Sequence, residues 1–99
     1  MMNKEEAYLH KVGFLVYPRG ELFEKLITRA GTLVIEKCMT DENKYDTYYS
    51  KWNEQYKYAK VTMLASNTDL AMATEKAIEF EHRMVDYINK LKKNTGKEK

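Results

Sequence analysis

The sequence has one cysteine, one proline and four glycines in 99 residues, and no apolar run of membrane length. Each scarcity removes a class of answers. A lone Cys38 cannot close an internal disulfide, so nothing points to an oxidising compartment, and a cytoplasmic protein is the expectation. Placed near the end of an expected helix rather than at a helix start, its thiol reads as structural rather than reactive. The longest apolar run, Val12 to Tyr17, is interrupted by Gly13 and closed by Pro18. It falls far short of the roughly 20 residues a membrane-spanning helix needs, and it is too short for a secretory leader. From Thr32 to Asn94 there is neither glycine nor proline. An all-β domain needs a turn signal about every ten residues, so their absence reads as long helices.

What is present fits one small soluble domain. A hydrophobic content of 43% can fill a single core, and 32% charged residues with a net charge of +2 describe an ordinary surface. The expected organisation is one helical domain over residues 1–93 and a disordered basic tail over 94–99.

Residues 4–17 fit a helix face through Tyr8, Leu9, Val12, Leu15 and Val16, although Gly13 to Tyr17 taken alone also suits a short strand. Pro18 then stands in a first helical turn with Glu21 and Glu24 near its positive end. Leu22, Phe23, Leu26, Ile27, Ala30, Leu33, Val34 and Cys38 follow at helical spacing, with Gly31 a weak point among them. The phase is continuous across Pro18, so one kinked helix is as good a description as two. Thr40-Asp41-Glu42 reads as a cap with acids in the next turn, opening a helix to about Ala65. Ser66 and Asp69, at capping-box spacing, open another to about Lys93 with a seam of Leu70, Ala73, Ala77, Phe80, Met84, Tyr87, Ile88 and Leu91. Short connections near Thr40 and Ser66 make the helices antiparallel. The predicted fold is therefore all-α: an up-down bundle of three long helices, the first kinked or split at Pro18, with coiled-coil-like seams that a homodimer would complete.

The central segment carries the most distinctive pattern. Tyr45, Tyr49, Trp52, Tyr56, Ala59 and Met63 recur at alternating spacings of four and three, an aromatic heptad seam, and the small Ala73 and Ala77 of the next helix would receive Trp52 and Tyr56. Beside it runs a second strip of Lys44, Tyr48, Lys51, Gln55 and Tyr58. Cations and tyrosines on one flank suit a protein interface, where aromatic and basic anchors are enriched. They also suit single-stranded nucleic acid, which takes stacking platforms and phosphate contacts, or simply a wetted edge of lysine stems over tyrosine rings. An overall charge this near neutral weighs against a dedicated nucleic-acid binder.

No catalytic signature is present: there is no Gly-x-Ser-x-Gly and no phosphate-binding glycine loop. Glu79 and His82 form the Glu-x-x-His spacing of carboxylate-bridged metal bundles, but with Ala77, Phe80 and Met84 inward they point away from the seam. No cofactor or metal is expected. The sequence thus reads as a non-enzymatic protein-protein interaction or assembly module, a small helical adaptor or regulator of a bacterial or mobile-element system. It associates with itself or with another protein, and Lys44, Tyr48, Lys51, Trp52, Gln55, Tyr56 and Tyr58 mark its contact surface. The alternatives are a nucleic-acid-associated regulator and a metal-dependent bundle using Glu79 and His82.

Overall fold

A computed structural model describes residues 3–41 and 43–97, with side chains through residue 92. The chain runs α1 (Lys4–Lys11), β1 (Leu15–Val16), β2 (Leu22–Thr28), β3 (Gly31–Lys37), β4 (Tyr45–Asn53), β5 (Tyr58–Thr68) and α2 (Leu70–Lys97). The strands form one antiparallel meander in the order β1-β2-β3-β4-β5, and both helices lie on the same side of it. The fold is thus a two-layer α/β arrangement, not an all-α bundle or a coiled coil. Among the described residues, no helix is long and apolar enough to cross a membrane.

Strand chemistry explains the correction. The segment expected as a helix after Pro18 contains the pleat-fitting run Thr32-Leu33-Val34-Ile35, three of whose four residues are β-branched, and the supposed aromatic helix contains Tyr45-Asp46-Thr47-Tyr48-Tyr49. Burial along β4 alternates residue by residue from Tyr45 to Ser50, the period of a half-buried strand. The spacing of four between Tyr45 and Tyr49 is compatible with both periods; only the strand period also turns Thr47 inward.

The turns were hard to see because glycine makes none of the three later ones. Arg29-Ala30 joins β2 to β3, with Thr28 paired to Gly31. Gly31 itself begins β3, where an added Cβ would collide with the Tyr49 hydroxyl and with Thr28 Oγ1. Asp41, expected as part of a helix cap, instead shapes the β3–β4 connection: its carboxylate accepts from the Asn43 N–H at 3.0 Å and its carbonyl from the Lys44 N–H at 3.1 Å. The β4–β5 turn is held by the Asn53 side chain, which accepts from the Tyr56 N–H at 3.0 Å, while Lys57 supplies the left-handed residue at φ 55°. Pro18 lies in a single 3-10 turn between β1 and β2, so it neither kinks nor starts a long helix.

Two sequence expectations place real helices. Residues 4–11 are helical, and Asn3 and Glu6 form a reciprocal cap, each side chain accepting from the other's backbone N–H at 2.8 and 3.1 Å. The last helix is present as well, though Asp69 rather than Ser66 caps it, accepting from the Met72 N–H at 2.8 Å. Its backbone continues to Lys97; the side chains beyond residue 92 and residues 98–99, and with them most of the expected basic tail, lie outside the described residues.

The core forms between the sheet and the two helices. Leu9 and Phe14 enter from the N-terminal segment, Phe23, Leu33, Ile35, Tyr45 and Tyr49 from the strands, and Ala73 and Ala77 from α2. Each large apolar side chain buried this way contributes about 1.5–3 kcal/mol. Ala73 and Ala77 are indeed contact points for bulky groups, but those groups are the sheet residues; Trp52 and Tyr56 are exposed. The Thr47 hydroxyl donates to the Ala73 carbonyl at 3.2 Å, and Phe80 stacks on Tyr49 with centroids 4.9 Å apart. From there α2 crosses toward β2, where Glu81 meets Lys25.

Candidate interaction surface

Because both helices cover one face of the sheet, the other face is left bare among the described residues. Directly paired residues of antiparallel strands share a face, so the register assigns this outer face. Leu15 pairs with Glu24, Glu24 with Val34, Val34 with Tyr48, and Tyr48 with Met63. A parallel row runs Leu26, Thr32, Ser50, Val61, and Trp52 lies opposite Ala59. Five large apolar side chains here, Leu15, Leu26, Trp52, Val61 and Met63, are between 43% and 66% exposed. Val34 beneath them is buried, shielded by its neighbours on the strands.

Acidic groups run through one end of this face. Glu36 pairs with Asp46, and Glu24 is the next outward residue on β2. The Tyr48 hydroxyl is raised above its ordinary ionisation range by burial first, then by the negative charges of Glu36, Glu24 and Asp46. The Tyr17 hydroxyl donates to Glu24 at 2.6 Å and is raised by that bond. Asp46 is also structural: one oxygen accepts from the Ser66 hydroxyl at 3.2 Å and the Asn67 N–H at 2.9 Å, with the Cys38 thiol 3.6 Å away. Burial, followed by the charge of Asp46, raises the Cys38 thiol and keeps it protonated.

The strip expected as one helical flank is divided by the pleat. Tyr48 and Trp52 lie on the outer face. Lys51 lies on the opposite face, directly across from Lys60, with Tyr58 on that same face opposite Asn53. Gln55 and Tyr56 belong to the β4–β5 turn, and Lys44 precedes β4. Glu54 accepts from the Lys57 ammonium and, at 2.7 Å, from the Trp52 indole N–H, and these bonds, Lys57 first, lower it from its ordinary value. Tyr56 and Tyr58 keep ring contact at 6.3 Å. Leu15, Leu26, Val61 and Met63 were not singled out from sequence as surface residues; the alternation Glu24-Lys25-Leu26 and the β-rich Val61-Thr62-Met63 were the available signals.

Glu79 and His82 lie on the solvent side of α2. Glu79 faces Lys76 at 3.8 Å and Arg83 at 3.9 Å, and His82 borders a shallow groove with Glu81, Val85 and Asp86. Among the described residues, no three His, Cys, Asp or Glu side chains gather as a metal set. Compared with known protein families, curated proteins and solved structures, the chain matches none, so its surface is read from its own chemistry.

Proposed function

We propose that the chain is a non-enzymatic protein-protein interaction or assembly module of the cytoplasm that docks the outer face of its sheet on another protein. One observation carries this reading: five exposed large apolar side chains share a single face whose reverse is the core. Large apolar side chains gathered on one face of a small protein mark an interaction site, whereas singly scattered apolar residues need no explanation. Trp52 and Tyr48 supply aromatic anchors, and the acidic end of the face favours a partner with basic residues at its rim. A lone, half-buried Cys38 whose thiol is raised by desolvation fits a reducing, cytoplasmic setting.

A photo-activated cross-linking residue at Leu26, compared with one at His82 on the opposite side, tests the proposal in cells. A discrete adduct from position 26 and none from position 82 is the expected result. Equal labelling from both positions, or none from 26, would overturn it.

A second reading has its own observation. Lys51 directly opposite Lys60 is a like-charge pair that destabilises a strand pair unless an anion relieves it, and Tyr58 on the same face can stack on a base. This nucleic-acid reading places the ligand on the face opposite to Glu24, Glu36 and Asp46. It predicts low-salt binding of short single-stranded oligonucleotides that weakens on Lys51→Ala or Tyr58→Ala and falls steeply with added salt.

A further inference from the structure

We infer that β5 is a pairing edge for a second copy of this chain, joining two sheets into one ten-stranded platform about a two-fold axis at Val61. The inference extends the docking-face reading, because Val61 and Met63 belong to that face, but it concerns a different contact. Four observations lead to it.

The first is the edge itself. Among the described residues β5 pairs only with β4, so its outward N–H and C=O groups form a row able to accept another strand. From Tyr58 to Met63 its register against β4 is regular, without a bulge, and those six residues are exposed on both faces. The helix does not obstruct them, because α2 crosses away toward Lys25 on β2.

The second is asymmetry between the two edges. The opposite edge ends in the two-residue β1, followed by the Pro18 turn. One competent edge per chain closes into a pair, whereas two would build an open fibre.

The third is charge. Over Tyr58–Thr68 the only charged residue is Lys60. Natural edges are usually protected by several charges or a proline, and this one has neither. A two-fold through Val61 places Lys60 against Thr62, so no like charges stand directly opposite one another. The same axis places Val61 against its own copy and Ala59 against Met63.

The fourth is continuity. With the axis perpendicular to the sheet, odd-numbered residues pair with odd, and the Trp52, Val61 and Met63 surfaces of both copies merge on one side. Two acidic ends then flank a single apolar strip, which gives an external partner a face twice as wide.

Sedimentation equilibrium on the full chain, from micromolar to millimolar concentration, should show a doubling of mass that Val61→Lys weakens at least tenfold. Val61 is exposed, so this variant keeps the monomer fold, which circular dichroism checks. In a Cys38→Ser background, Val61→Cys should form an intermolecular disulfide under mild oxidation. Ala59→Cys should not, because its two copies would lie about 13 Å apart along the strands, beyond disulfide reach. A monomer at every concentration, species larger than a dimer, or linkage at 59 in preference to 61 would overturn the edge pairing. Cross-linking from Leu26 would be unaffected by any of those outcomes, so the two proposals fail separately.

Discussion

The Lys25 ammonium lies 2.6 Å from the Glu81 carboxylate and donates at 2.7 Å to the Val12 carbonyl, joining β2, α2 and the end of α1 through one side chain. Its stem passes near the Phe14 ring, at 5.9 Å from the nitrogen to the centroid. Both charged side chains are about one-fifth exposed, so water screens the pair only partly. Glu81→Gln should lower stability by about 1–2 kcal/mol, because it leaves a largely buried cation facing only neutral acceptors. Urea denaturation checks the value, and a neutral result would show that α2 is held by its apolar contacts alone.

Gly31 offers a sharper test of the sheet. An added methyl group would collide with the Tyr49 hydroxyl and with Thr28 Oγ1, which are themselves bonded at 2.7 Å. Gly31→Ala should cost more than about 2 kcal/mol by overpacking. Tyr49→Phe removes the nearest obstruction, so the double variant should be less destabilised than the sum of the two single ones. Thermal unfolding of the four-member cycle measures this directly.

Surface and core positions on the same segments should respond oppositely. Trp52→Ala should change stability by less than about 0.5 kcal/mol, since Trp52 stands on the bare face. In a buried helical seam the same truncation would cost about 3–5 kcal/mol. Ala77→Leu, at a fully buried site against the sheet, should cost about 1–3 kcal/mol.

Alkaline pH should destabilise the fold through tyrosine. Tyr45 and Tyr48 are both raised above 10.0, Tyr45 by burial and then Glu6, Tyr48 by burial and then Glu36, Glu24 and Asp46. The unfolded chain releases these protons first, so the stability they contribute is fully present below pH 10.0 and is lost as pH rises through the folded values. Absorbance titration near 295 nm, followed alongside circular dichroism, should show delayed phenolate formation coupled to unfolding. Tyr48→Phe should reduce the coupling.

The parts of the fold legible in sequence were those with local signals. The Tyr8, Leu9 and Val12 spacing marks a real α1, which stops at Lys11 rather than running on to Tyr17, and the Leu70, Ala73, Ala77, Phe80 and Met84 stripe marks the buried side of α2. The sheet was concealed because its turns use Arg29-Ala30, Asp41-Asn43 and Asn53-Lys57, where side-chain acceptors and non-glycine backbones replace glycine. The aromatic spacing misled because Tyr45 and Tyr49 are four apart on a strand face, after which Trp52 falls on the opposite face and Tyr56 in a turn. Of the surface residues chosen from sequence, Tyr48 and Trp52 share the outer face; Lys51 and Tyr58 were grouped with them by helical geometry that does not exist here. Leu15 and Leu26 were assigned to helix faces, and only strand register, a long-range property, turns them outward.

The distal half of the β4–β5 hairpin also has consequences in time. Residues 54–63 are exposed throughout and contribute nothing to the core cluster, while Thr47 and Tyr49 at the near end are anchored by α2. Amide hydrogens along the arm should therefore exchange through small local openings, long before those of β3, which reports global unfolding. Exchange should thus separate a slow body from a fast arm, and any partner that seals the arm would be seen first as a slowing of its exchange.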